Sequence, residues 1–192
     1  MRAKSVKRKR ADRRQALLVL DLVSEFEFDD GRKILAAAKR IAPRISRLKA
    51  RANAAEVPVI YVNDTAGKWE SDQTSFVERC RAERARGRKI VRCIEPSPKD
   101  YFMFKPKHSA FYATPLAELL EELAAKELIL TGLTSHQCVL FTAMDAHIRG
   151  YKVVVPRDCI GAAIPAQTRY ALFVLKEALQ AKTPASSSIR FN

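Results

Sequence analysis

The 192-residue chain has no apolar run approaching the ~20 residues that a membrane-spanning helix needs; its longest, such as ALLVL at 16–20 and VVV at 153–155, fall far short. It also has no CxxC pair. Its four cysteines stand at 80, 93, 138 and 159 with no histidine cluster to match them, which leaves zinc-ribbon and thioredoxin-type readings without support. A secretory signal is missing as well. The Arg13–Arg14 pair before ALLVLD has the outline of an export signal, but Asp21 ends the apolar run too early and no small-residue cleavage site follows. The thiols are therefore expected to be free, in a reducing cytoplasm. There is no internal repeat, and the only biased segment is a basic one at the start.

That segment, MRAKSVKRKRADRRQ, carries eight Lys/Arg against Asp12, so residues 1–15 hold +7 of the net +14 and the other 177 residues hold the rest. With few apolar residues it cannot offset its own ordering entropy, and it reads as a solvated tail. The alternative is a tail that binds nucleic acid or another anionic surface through counterion release. Residues 16–192, in a chain that is 47% hydrophobic, are long enough for one domain with a real core.

Short β-rich runs alternate with helical patterns of ten or more residues, which predicts an α/β protein: a three-layer α/β/α Rossmann-like fold with a mainly parallel sheet of five or six strands. Strands are expected at 16–22, 57–63, 101–105, 127–132 and 151–156. A long helix is expected over 33–55, with Ile34, Leu35, Ala38, Ile41, Ile45 and Leu48 on one stripe and Pro43 kinking or splitting it. Further helices are expected near 75–84, over 114–125 with Thr114 as N-cap, over 137–149 and over 165–181. Residues 64–100 are the least regular part.

Ligands of open α/β sheets bind outside the carboxyl ends of the strands, and three chemically capable residues fall there. Asp21 follows ALLVL, Lys105 ends YFMFK, and Cys138 lies just beyond ELILTG. A carboxylate in an apolar strand needs a partner, and Lys105 is a candidate for it. Cys138 opens a helix, where unpaired N–H groups stabilise an anion and lower a thiol pKa. Taken from its residue type alone, Cys138 is more often a small buried hydrophobe than a nucleophile.

The stretches GLTSHQCVLFTAMDAHIRGYKVVVPRDC and KPKHSAFYATPL resemble the cysteine hydrolases of the isochorismatase-like superfamily, which includes nicotinamidases and N-carbamoylsarcosine and ureidoacrylate amidohydrolases. The resemblance runs from about residue 15 to 180. It implies an amidohydrolase that cleaves a non-peptide C–N bond of a small molecule through a thioester, with Asp21 as general base, Cys138 as nucleophile and Lys105 balancing charge between them. It implies a cis peptide between Leu133 and Thr134 and an oxyanion hole from the N–H groups of Thr134 and Cys138. It implies a homodimer or homotetramer.

Two departures stand out. Nicotinamidases of this family hold a metal through an Asp-x-His motif after the second strand, whereas this chain reads YVNDTAGKW, so neither metal nor other cofactor is expected. His136 stands where the family more often has Asp or Asn. Phe26, Trp69 and His136 are the candidate pocket residues. The competing reading is an inactive hydrolase fold whose basic tail binds nucleic acid or another anionic partner.

Overall fold

All six residues of β1 (Gln15–Leu20) are buried, as befits a parallel strand covered on both faces. The computed structural model describes residues 15–64 and 72–191, so residues 1–14 of the basic tail, and Trp69, lie outside the described residues. Gln15, counted with the tail by composition, is instead the first residue of β1, and its amide donates to Glu127 Oε1 at 2.7 Å. The other strands are β2 (Val59–Asp64), β3 (Tyr101–Lys105), β4 (Glu127–Leu133), β5 (Lys152–Val154) and the two-residue β6 (Ile160–Gly161). Their order is β3-β2-β1-β4-β5, with every pair parallel and β6 continuing along β4 beyond β5. The chain winds outward from β1 in one direction and from β4 in the other. A crevice therefore opens at the carboxyl ends of β1 and β4, the position where such sheets bind ligands.

Because side chains alternate along a strand, Leu17 and Val19 of β1 face one layer, and Ala16, Leu18 and Leu20 the other. The first layer holds α1 (Gly31–Ala54), α2 (Gln73–Arg81) and α3 (Arg88–Cys93). The second holds α4 (Leu116–Glu122), α5 (Leu140–Ile148) and α6 (Pro165–Glu177). This is the expected three-layer α/β/α arrangement. Among the described residues no helix is long and apolar enough to cross a membrane.

Several elements differ from the sequence reading. α1 continues through Pro43 without a break. Pro43 and Lys39, the residue whose carbonyl loses its amide partner, are both on the solvent face, where water can replace the bond. The opposite face buries Ala37, Ala38, Ile41, Ile45 and Leu48, each large side chain contributing about 1.5–3 kcal/mol. α3 was not expected. Its basic sequence hides two apolar residues, Ile90 and Val91, that are buried against α1. α4 begins two residues late, but Thr114 Oγ1 still accepts the Leu116 amide at 3.3 Å. α6 stops at Glu177 because Gln180, at φ +50°, turns the chain back so that Lys182 bridges Val154.

Lys49 ties α1 to the start of β3. Its ammonium lies 2.7 Å from Asp100 Oδ2 and donates to the Glu95 carbonyl at 2.6 Å, fixing the strand that ends in Lys105. On β4, the Thr131 hydroxyl donates to the Leu18 carbonyl at 2.8 Å. Gly132, one residue on, has φ +112°, and a Cβ there would lie 2.0 Å from the Leu20 carbonyl oxygen. Gly132→Ala is expected to cost at least ~2 kcal/mol through clash and strained φ, read as a lowered urea midpoint with unchanged slope.

Candidate active site

The site begins with a problem of reach. Asp21 follows β1 and Lys105 ends β3, with β2 between them, so two interstrand spacings of about 4.8 Å separate their backbones. Asp21 at φ +51° breaks the strand in a conformation that short polar side chains tolerate. Its N–H donates to the Val62 carbonyl at 3.2 Å, and its Oδ1 accepts the Asp64 N–H at 2.6 Å, so β2 anchors it at both ends. Oδ2 is left facing Lys105 Nζ at 2.9 Å, an ion-pair distance. Lys105 is 0% exposed. Its Nζ donates to Cys138 Sγ at 3.4 Å, and Asp64 Oδ2 is 3.9 Å away.

Cys138 lies in a π-helical turn, Ser135–Val139, rather than at the first turn of an α-helix. The Thr134 carbonyl accepts the amides of Gln137 and Val139, three and five residues on, and passes over that of Cys138. A π-turn thus frees the N–H that an α-turn would bond to that carbonyl. The peptide between Leu133 and Thr134 is cis. Ser135, fully buried, pairs with the Thr168 hydroxyl at 3.0 Å and fastens the turn to α6. The segment carrying Lys105 is clipped to α5 by the Ala110 N–H donating to Thr142 Oγ1 at 3.0 Å and by Ser109 donating to Asp145.

Burial dominates the electrostatics. It raises the pKa of Asp21, against the opposing pull of Lys105 and the hydrogen bond from Cys138. It also pushes the Cys138 thiol up to about 12, aided by the Asp21 charge and opposed by Lys105. For Lys105 burial works downward, but the attractions of Asp21, Cys138 and Asp64 outweigh it and the pKa rises. The arrangement holds Cys138 as a thiol, beside an acid whose ionised form could take its proton, over an ammonium whose charge its neighbours favour. This differs from the sequence expectation of a helix-lowered thiol pKa, because burial and the neighbouring carboxylate exceed the effect of the turn.

Above the triad lies a cavity of about 540 Å³. Asp21 and Cys138 form part of its wall while Lys105 stays behind them. Phe26 lines it, held at φ +57° with its N–H donating to Ser24 Oγ at 3.0 Å. His136 does not line it. Thr134, Gln137 and Cys138 do, at i, i+3 and i+4 of the turn, which directs the i+2 side chain elsewhere. Among the lining residues that carried no assigned role in the sequence reading are Asn63, Gln137, His108 and Arg79, the last ion-paired to Glu25 at 3.0 Å. Asn63 was legible only as a departure from a metal motif. The last two residues of β2 do not fit that metal: Asn63 turns its amide N–H to the Val23 carbonyl, Asp64 approaches an ammonium, and no group of three potential ligands gathers among the described residues.

Residues 15–186 match the isochorismatase domain family. The isochorismatase family protein YaaI of Bacillus subtilis is 39% identical over 91% of this chain and 96% of its own length. A streptothricin hydrolase of Streptomyces noursei is 31% identical over 75% of this chain, which spans about half (53%) of that protein. Among solved structures, an N-carbamoylsarcosine amidase from Thermoplasma acidophilum superposes with a TM-score of 0.72 at 25% identity, covering 92% of this chain and 99% of that one. The chain belongs to the isochorismatase family, a family that contains hydrolases.

The opposing influences on Cys138 give a counterintuitive expectation. Asp21→Asn removes a charge that disfavours the thiolate and leaves Lys105 beside the sulfur. Iodoacetamide should therefore label Cys138 about tenfold faster at pH 8.5 in the variant than in the wild type, with Cys138→Ala identifying the labelled peptide. An unchanged or slower rate would mean that Asp21 does not govern the thiol.

Proposed function

We propose that this chain is a cysteine amidohydrolase that cleaves a non-peptide C–N bond in a small amide or ureido compound through a thioester. The observation that carries the reading is the convergence of Asp21, Lys105 and Cys138 on one point, from three different strand ends, beneath an apolar-walled cavity. Its membership of a family with an amidase among its relatives supports it.

Asp21 takes the thiol proton as the sulfur attacks the substrate carbonyl, so no free thiolate need accumulate. The carbonyl oxygen, gaining charge, is met by the N–H groups of Thr134 and Cys138. Lys105 holds its positive charge throughout, against both the carboxylate and the developing thiolate. The Asp21 proton then passes to the leaving nitrogen, the C–N bond breaks, and an acyl-thioester remains on Cys138. Water, deprotonated by Asp21, attacks the thioester and releases the acid and the thiol.

Cys138→Ala is expected to lower ammonia or amine release from small amides and ureido acids by about 10⁴-fold or more while leaving the circular dichroism unchanged. Rapid quenching of the wild type should show a Cys138 peptide heavier by the acyl group. Equal release by the two proteins would sink the reading. Since Asp21 must be ionised to act and burial raises its pKa, kcat/KM should rise with pH through an apparent pKa above the usual carboxylate range. Lys105→Met should move that limb higher still, because it removes the charge that favours ionisation.

We further infer a homodimer across α5 and α6. These helices pack together and expose Phe141, Met144, Ile148, Tyr170 and Phe173, each between 42% and 75% exposed. Monomers seldom leave such large apolar side chains grouped on the surface. A second copy of the same face would cover them around a two-fold axis. In sedimentation velocity the wild type should run as a dimer and Phe173→Asp as a monomer, and a monomeric wild type would overturn the inference.

A further inference from the structure

Asn63, the penultimate residue of β2, is 2% exposed and borders the same cavity as Asp21 and Cys138. Its side-chain Nδ2 donates to the Val23 carbonyl at 2.6 Å. A backbone carbonyl only accepts, so that bond settles which end of the amide is nitrogen and leaves Oδ1 as the other. Among the described residues Oδ1 has no hydrogen-bond partner, although it is shielded from solvent. A buried acceptor without a donor costs free energy, and folding gives no return for it. Its position gives the return a different source: a molecule in the cavity that brings an N–H or O–H.

The polarity of the cavity suggests which group that is. The backbone amides at the end of β4 are donors and suit the oxygen of a carbonyl. Beside β1 on the opposite side stands β2, which contributes the Asp64 N–H that holds the base, and, one residue earlier, the acceptor of Asn63. A carboxamide or ureido group presents the complementary pattern: its carbonyl oxygen accepts, and its nitrogen, which receives the proton from Asp21, donates. An ester of the same acid offers no such donor.

We propose that Asn63 is a substrate-binding, specificity-determining residue whose Oδ1 accepts an N–H from the substrate's scissile nitrogen. It thereby selects unsubstituted amides and ureido compounds over esters of the same acyl group. The inference rests on the amidohydrolase reading and adds to it the residue that reads the nitrogen.

The test compares kcat/KM for a primary amide and for the methyl ester of the same acid, in the wild type, Asn63→Leu and Asn63→Ser. The amide value is expected to fall about 10- to 100-fold in Asn63→Leu while the ester value changes less than about threefold, because only the amide loses a partner. Taking the ratio within one preparation cancels any reduced folded fraction, and Asn63→Ser supplies the same ratio should the leucine variant not fold. A parallel fall for both substrates would reduce Asn63 to a prop for the Val23 loop and overturn the proposal, as would no change for either. Failure of the underlying reading looks different: wild type and Cys138→Ala would then release ammonia from the amide at the same rate.

Discussion

The ammonium of Lys105, fully buried between a carboxylate and a thiol, is the constraint around which this fold is arranged. A lone charge in that position would be prohibitively desolvated. Asp21 and Asp64 supply the compensating charge, and each is held by strand backbone rather than by a loop. Truncating Lys105 would leave Asp21 buried without a counter-ion, and truncating Asp21 would leave Lys105 with only the more distant Asp64, 3.9 Å away. The buried charges and the packing of three strand ends are therefore one electrostatic unit.

Placing the ammonium behind the carboxyl and thiol groups has chemical meaning. From beneath, Lys105 acts on both Asp21 and Cys138 while staying out of the cavity wall. Burial and the Asp21 charge keep the sulfur a thiol against the pull of Lys105, which limits its reaction with passing electrophiles. The π-turn complements this by freeing a backbone donor from the Thr134 carbonyl at Cys138 itself.

Much of the fold was legible from its periodicities. The five longer strands, the buried stripe of α1 and the strand-end positions of Asp21, Lys105 and Cys138 follow from apolar runs and their polar stops. What escaped had no local signal. β6 is two residues long and exists because Gly132 and Leu133 extend β4 past the end of β5. α3 is a charged stretch made helical by the burial of two residues. Pro43 marked a break that a solvated helix face does not require. The π-turn differs from an α-turn by one hydrogen bond, a difference that composition does not encode. At the site, Asn63 and Gln137 are ordinary polar residues whose roles depend on which face of a strand or turn they occupy. His136, singled out by its type, lies on the wrong side of that turn.

Around the loop after β1, Gly87 has no room for a Cβ, which would meet the Ser24 carbonyl oxygen at 1.9 Å, and Arg79 of α2 pairs with Glu25. The region from α2 to α3 is thus pressed onto the pocket wall but contributes nothing to the triad. Strand ends hold the buried charges, while Phe76, Arg79 and Cys80 of α2 line the cavity beside them. Substitutions at those three positions change the wall without removing a member of the Asp21–Lys105 pair. The shape of the cavity can thus vary independently of the charges beneath it.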